Sequence, residues 1–422
     1  MNLKTLLAGT TLALGVLATM PVIATSSLAA LTCGANTGQA ATGVPIKVGG
    51  IHGNAAPGDF SASTTAAKAY FDCVNANGGI GGRPIQYLVE NDQWSPEAAA
   101  QAASKLLKDE KVVAIVGNGS FVEMAVNAPT YKAENIMAMA SACAVSECFE
   151  SSNIVSTNQG PLSSSVGASQ YAVEELGAKN IVCLGLAIPN VGNYSCGGVE
   201  EYMRSKGLSG SSVLLNPASP DVNSGLLEAV ASGADTILVN EPAGLAIAIL
   251  KAAEEQGLGD KYKWISSTPL YDRTVPAALG SYWDGKMFVN AELTPWDKGG
   301  PDAVNWLAVM DAYAPKEAAR DTFSQSGYMS ARFFVDTLMK MDPAKLDDRG
   351  AVTQAIKDIN GYTSDLMCGP YYVGEAERHM PNHAGTMVVV KGGKFETVRD
   401  CYEYEGPYFD ALVETEKKLG IR

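Results

Sequence analysis

The sequence predicts an α/β protein with two lobes, each a parallel sheet covered by helices. Three observations predict it. Short β-rich runs alternate many times with segments of helical periodicity, the rhythm of parallel strands connected through helices on both faces. A chain of 422 residues is long enough for two or three compact units at roughly 100–200 residues each. Its 46% hydrophobic and 18% charged residues are those of an ordinary globular chain, which excludes a fibre, a disordered tail and a polytopic membrane protein.

Taken in order, the first thirty residues read as an export signal. Lys4 is the only charge before an apolar run from Leu6 to Ile23, and Ser27-Leu28-Ala29 supplies the small residues a signal peptidase reads. We expect residues 1–29 to be a signal peptide cleaved after Ala29. A membrane anchor fits less well, because Gly9, Gly15 and Pro21 interrupt the run. A lipoprotein fits less well too, because Ala30-Leu31-Thr32 precedes Cys33 without the usual spacing of large and small residues. The mature protein is then soluble and exported.

Strands are expected at 46–51, 85–90, 112–116, 136–140, 181–186, 213–215, 236–239 and 263–267. Helices are expected at 64–75, 96–108, 162–176, 226–231 and 243–256, with Ser95 capping and Pro96 in the first turn of the second. Two such sets, at about 45–158 and 159–290, make two lobes. Beyond Glu292 the character changes to Pro- and Asp-rich linkers, long helices near 300–313 and 324–341, and a hairpin over 387–390 and 395–398 that turns on Gly392-Gly393. The glycine-dense Gly78-Gly79-Ile80-Gly81-Gly82 follows a helix and precedes a strand, the reverse of a phosphate-cradling loop, so it reads as an αβ turn.

The charge of −14 argues against nucleic acid or an anionic membrane face as partner, since counterion-release binding needs clustered Lys and Arg. The eight cysteines are even in number and, after export, read as disulfides. Sequence does not choose among the pairings. Neighbours are preferred: Cys143 with Cys148, Cys183 with Cys196 and Cys368 with Cys401, leaving Cys33 and Cys73. A metal site is not supported, because no pair has C-x-x-C spacing and the histidines are scattered. His379 and His383 have helical i, i+4 spacing, but Pro381 and Asn382 between them break the helix that would aim both at one ion. No G-x-S-x-G elbow and no P-loop occurs, and His52 lies far from the other two histidines, so neither an enzyme nor a cofactor is expected.

In parallel sheets of this kind ligands bind beyond the carboxyl ends of the strands. The loops there are 49–60, 91–95, 117–121, 140–144, 187–195, 240–244 and 268–272. They offer flat apolar surface from Phe60, Trp94, Phe121, Tyr194 and Tyr271, and small or polar positions at Gly119, Ser120, Ala140, Ser141, Ala142, Glu241 and Thr268. Each aromatic singly has lobe-surface packing as its alternative. Jointly they mark a candidate binding site.

From about Ile46 to Val398 the chain resembles type I periplasmic solute-binding proteins of ABC importers, in the leucine/isoleucine/valine-binding branch. The resemblance rests on Ile46-Lys47-Val48-Gly49, Val74-Asn75-Ala76-Asn77-Gly78-Gly79-Ile80-Gly81-Gly82-Arg83 and Glu90-Asn91-Asp92-Gln93-Trp94-Ser95-Pro96. It continues through Val116-Gly117, Gln159-Gly160-Pro161 as the first lobe crossing, Gly233-Ala234-Asp235 and Gly392-Gly393-Lys394-Phe395. The resemblance implies a hinge of three chain crossings, with residues 30–158 plus about 292–370 in one lobe and 159–291 plus about 371–422 in the other. It also implies a periplasmic monomer that captures a small-molecule solute and presents it to ABC permease membrane subunits.

Against the branch's binding pattern the chain departs in three places. Phe121, preceded by Ser120, stands where a serine hydroxyl holds the ligand carboxylate, and Cys143, expected to be oxidised, stands where a threonine assists. Ser141 and the Ala142 backbone remain as substitutes. The glutamate that pairs with the α-ammonium falls near Ser219, just before Asp221, whereas Tyr194 matches the second-lobe tyrosine. A buried α-ammonium without an anionic partner is costly. The resemblance with these departures therefore implies an aromatic or apolar carboxylate, or an amide-like solute. If Glu241 or Asp272 supplies the missing anion, a branched-chain or other amino acid is the alternative. A ligand-sensing regulator of the same fold is a second alternative, and an exported hydrolase a distant third.

Overall fold

A computed structural model of the protein describes residues 31–55, 58–376, 380 and 382–421. The expected signal peptide and His379 lie outside the described residues. The first lobe opens with β1 (Ile46–His52), the short strands β2 (Asn54–Ala55) and β3 (Gly58–Asp59), and α1 (Ser61–Ala76). There follow β4 (Ile85–Asn91), α2 (Pro96–Ser104), β5 (Ile115–Ser120), α3 (Glu123–Ala133), β6 (Ala138–Cys143) and β7 (Ile154–Ser156). Five of these strands form a parallel sheet in the order β4-β1-β5-β6-β7.

The chain then crosses to the second sheet through α4 (Gly160–Glu175), β8 (Asn180–Leu186), α5 (Gly192–Ser205), β9 (Ser209–Leu215) and α6 (Val222–Ala231). It continues with β10 (Thr236–Asn240), α7 (Ala243–Glu255), β11 (Lys263–Ser266), α8 (Val275–Leu279) and β12 (Met287–Ala291). Next come α9 (Pro301–Tyr313), α10 (Thr322–Leu338) and α11 (Arg349–Lys357). Of these, α9 and α10 pack on α1, and α10 also on β5 and β6. Finally β13 (Ala384–Lys391) and β14 (Lys394–Glu403) return to the second sheet before α12 (Asp410–Leu419). That sheet has the order β14-β13-β12-β11-β10-β8-β9, parallel except for the two closing strands. The fold is thus the expected pair of βα lobes with parallel sheets.

Differences from the expected elements have physical reasons. Pairing of β5 starts three residues later than the apolar run at 112 and extends through Gly117-Asn118-Gly119-Ser120, because the buried Asn118 side chain takes over a backbone role: its Oδ1 accepts from Ile51 N at 2.8 Å. The helix expected to reach residue 108 ends as α2 at Ser104 and continues as one π-helical turn, Lys105–Asp109. Strands β7 and β12 are too short to show a period, and α3 carries Pro129 in its interior, which masks it as a helix in sequence. Four disulfides join Cys33 to Cys73, Cys143 to Cys148, Cys183 to Cys196 and Cys368 to Cys401. Among the described residues no helix is long and apolar enough to cross a membrane, and no cluster of His, Cys, Asp or Glu has a metal-holding arrangement.

The three chain crossings meet at one side chain. Gln159, in the first crossing, donates its backbone N–H to Glu292 Oε2 at 2.6 Å in the second. Its Nε2 donates to Asn382 Oδ1 at 2.7 Å and to Ala384 O at 2.5 Å in the third. Next to it Gly160 has φ +85°, and a Cβ there would sit 2.3 Å from the Phe149 ring, so both conformation and space demand glycine.

Candidate functional site

Each sheet has a place where successive connections leave in opposite directions, between β1 and β5 in the first and between β8 and β10 in the second. Loops diverge at such a point and leave a crevice beyond the strand ends. Here the two crevices face each other and enclose one cavity, lined on the first-lobe side by Phe60, Phe121, Ala142, Cys143, Ala144, Asn158 and Phe323. Pro161, Leu186, Val191, Asn240, Glu241, Pro242, Thr268, Pro269 and Glu292 complete it. Its free volume, about 50 Å³, is a few times the roughly 10–15 Å³ that one water needs, space for a compact solute.

The first-lobe wall is a set of rings placed by turns. Phe60 immediately precedes α1, where its carbonyl accepts from the Ser63 hydroxyl at 2.8 Å. Its ring lies 4.8 Å from that of Phe121, 4.9 Å from Phe323 and, edge-on, 5.3 Å from Trp94. Trp94 supports the wall from behind, 4.6 Å from Phe121, and its Nε1 donates to Ala55 O at 2.6 Å. It holds this position at φ +60°, after Gln93 at φ +51°, a conformation bulky residues rarely adopt. Asn91 Oδ1 and Asp92 Oδ1 accept from the two amides, each at 2.9 Å, and hold the turn. Gly53 leaves the room the indole occupies, since a Cβ there would lie 2.3 Å from the ring.

Several residues predicted for the site serve it indirectly. Ser120 donates to Asp92 Oδ2 at 2.5 Å and accepts from the Val122 and Glu123 amides at 3.0 and 3.1 Å, which fixes the turn that projects Phe121. Gly119 lies against Ala142, Ser63 and Phe60. Ser141 exchanges a hydrogen bond with Ser330 at 2.7 Å, and Ala140 O accepts from Ser330 at 3.1 Å, so both face α10. Tyr194 turns to Tyr408, hydroxyl to hydroxyl at 2.5 Å. Tyr271 stacks on Trp296 at 4.1 Å and, with Asp272, borders a neighbouring cleft. Ser219 is exposed outside the cavity lining, and Asp221 caps α6. His52 bonds Thr64 at 2.8 Å and His383 bonds Glu416 at 3.0 Å, so the two belong to separate local networks.

The second-lobe wall is polar, but most of its polarity is spent internally. Asn240 donates to Ser195 Oγ and accepts from Ser267 Oγ, both at 2.6 Å. The Thr268 hydroxyl donates to Asn290 O at 2.9 Å and accepts from Glu292 N at 3.0 Å. Across the cavity Asn158 grips the backbone of Cys143 with both ends of its amide, at 2.9 and 3.0 Å.

Glu241 differs from all of these. It is 0% exposed, and neither carboxyl oxygen has a hydrogen-bond partner. Burial pushes its ionisation up to about 9, which keeps it protonated at neutral pH. Glu292, 2% exposed, accepts from the Gln159 and Gly160 amides at 2.6 and 3.2 Å, and burial outweighs those bonds to raise it to about 7. Among the described residues none that lines the cavity is Lys, Arg or His.

The sequence reading placed Phe60, Phe121, Ala142, Glu241 and Thr268 in loops that do line the cavity. It missed Phe323, Asn158 and Glu292. Phe323 follows Asp321, whose carboxylate accepts from Ser324 N at 2.7 Å, and that capping pattern was the available signal for a ring at a helix mouth.

The family signature of the periplasmic binding proteins matches residues 45–394. A comparison with curated protein sequences finds no match. Among solved structures, an ABC transporter solute-binding protein from R. palustris in complex with 4-hydroxybenzoate superposes with a TM-score of 0.74 at 20% identity, covering 88% of this chain and 100% of that one. A branched-chain amino acid transporter substrate-binding protein from Streptococcus pneumoniae in complex with isoleucine gives 0.70 at 16%, covering 85% and 99%. A fatty acid ABC transporter substrate-binding protein from Thermomonospora curvata gives 0.72 at 18%, covering 89% and 95%. These likenesses are of fold, and with the signature spanning both sheets, the chain belongs to the periplasmic binding protein family, a family of binding proteins and not of enzymes.

Proposed function

We propose that this chain is the periplasmic solute receptor of an ABC importer, and that its solute is compact, with an apolar or aromatic body and a nitrogen donor of the amine or amide kind. Glu241 carries this reading: two buried carboxyl oxygens without a partner are costly unless a ligand satisfies them. The ring wall of Phe60, Phe121 and Phe323 supports an apolar or aromatic body. Solute bound first to one lobe adds contacts with the other and shifts the population toward closure. The closed surface then docks on the permease subunits, and the receptor acts as a monomer.

An aromatic acid is the second reading. It draws on the R. palustris neighbour in complex with 4-hydroxybenzoate, and on a protonated Glu241 as donor to a ligand carboxylate. Against it stands the absence of any cation among the described lining residues. Mass spectrometry of solute retained through native purification, with a thermal-shift panel, tests the receptor assignment. A retained small nitrogenous solute that raises the melting point on re-addition is the expected result, by mass action. A protein that carries no solute and shifts with none of the amines, amides, amino acids or aromatic acids in the panel overturns it.

A further inference from the structure

We infer that the cavity selects an organic cation, a compact amine with an apolar body, and that binding it expels the proton held by Glu241. The inference rests on the receptor reading and names its substrate class. Three observations lead to it. Glu241 lines the cavity, and both of its oxygens are buried without a hydrogen-bond donor from the protein. Among the described residues the only other titratable group in the lining is Glu292, also an acid, and it already takes two backbone N–H groups. No Lys, Arg or His among the described residues lines the cavity, so a ligand carboxylate meets no charged partner among them.

The proton balance follows from these neighbours. Burial alone raises Glu241, with no cation near enough to oppose it, so the empty site holds a neutral acid. An ammonium brought within bonding distance favours the carboxylate instead. The O–H bond of Glu241 breaks, its proton leaves to solvent, and the ammonium donates to the oxygens that remain. The charge that enters with the ligand is matched by the charge that leaves. A neutral amide would hydrogen-bond without any proton exchange, and a carboxylate would find no cation among the described lining residues to offset its charge.

The test uses three probes of one shape, benzylamine, benzamide and benzoate, titrated calorimetrically into the solute-free protein in buffers of different ionisation enthalpy. Benzylamine is expected to bind with release of about one proton, its affinity rising about tenfold per unit between about pH 6 and pH 8. Benzoate is expected not to bind. Glu241→Gln, which keeps the shape of the neutral acid, is expected to fold with a melting point no lower than the parent's, lose benzylamine and retain or gain benzamide. Benzylamine binding that is flat with pH, or that survives Glu241→Gln unchanged, overturns the inference. So does binding of benzamide or benzoate in preference to benzylamine, an outcome that leaves the receptor reading standing. Failure of all three probes also overturns it, and the receptor reading then falls only if no solute survives native purification.

Discussion

The first lobe meets the cavity with rings and the second with polar side chains, and the two walls are held in place by different physics. The ring wall is set by turn geometry: Phe60 before α1, Phe121 after the Ser120 cap, and Trp94 in a left-handed turn held by Asn91 and Asp92. Its rings touch one another, so each fixes its neighbours through area and shape. The polar wall is set by a hydrogen-bond network in which Asn240 and Thr268 are fully engaged and only Glu241 is left over. A wall that satisfies its own polar groups is rigid and neutral toward ligands. The one group it leaves unsatisfied is the group on which the proposed selection rests.

Phe60→Ala probes the ring wall and should have the largest effect. Removing a side chain only 5% exposed and in contact with three rings should cost about 3–5 kcal/mol in denaturant unfolding. A loss below about 1 kcal/mol would mean that the rings collapse freely and do not fix one another. Asn240→Ala comes next. It leaves the Ser195 and Ser267 hydroxyls without their partner and should cost about 1–3 kcal/mol, with solute affinity falling as the Glu241 loop loosens. Unchanged stability would show that the network is not what holds this wall.

A further test lies in the pH dependence of the solute-free protein. Burial raises Glu241 to about 9, Glu123 and Glu292 to about 7 and Asp321 to about 6. The unfolded chain gives up the same protons near about pH 4. Between those limits the folded state binds more protons, so stability falls as pH rises. Differential scanning calorimetry should show a melting point that declines from about pH 5 to pH 8, with Glu241→Gln flattening the alkaline part of the decline. A melting point that rises over this range would mean that the buried acids are paired and ionised after all.

The fold was legible because βα rhythm is a local property, repeated often enough to survive errors at individual boundaries. The site was legible only in part. Phe60 and Phe121 stand directly after strands, where position alone implies a crevice. Tyr194 and Tyr271 look the same in sequence, yet each is taken by a partner far along the chain, Tyr408 in one case and Trp296 with Phe395 in the other. Phe323 comes from the region where the rhythm had ceased. Glu292 opens a Pro- and Asp-rich stretch that reads as solvated linker, and only the meeting of three crossings at Gln159 buries it. Near Ser219 no acid lines the cavity; the acid in that wall is Glu241, on the loop after β10, because facing sheets let different loops reach the same point.

The Cys143–Cys148 bond forms part of the cavity wall itself. Protein made in a reducing cytosol would carry a thiol there and a looser rim between β6 and β7, whereas exported protein carries the closed ring. The two preparations share one sequence and differ in the wall of one cavity, so solute affinity is expected to differ between them.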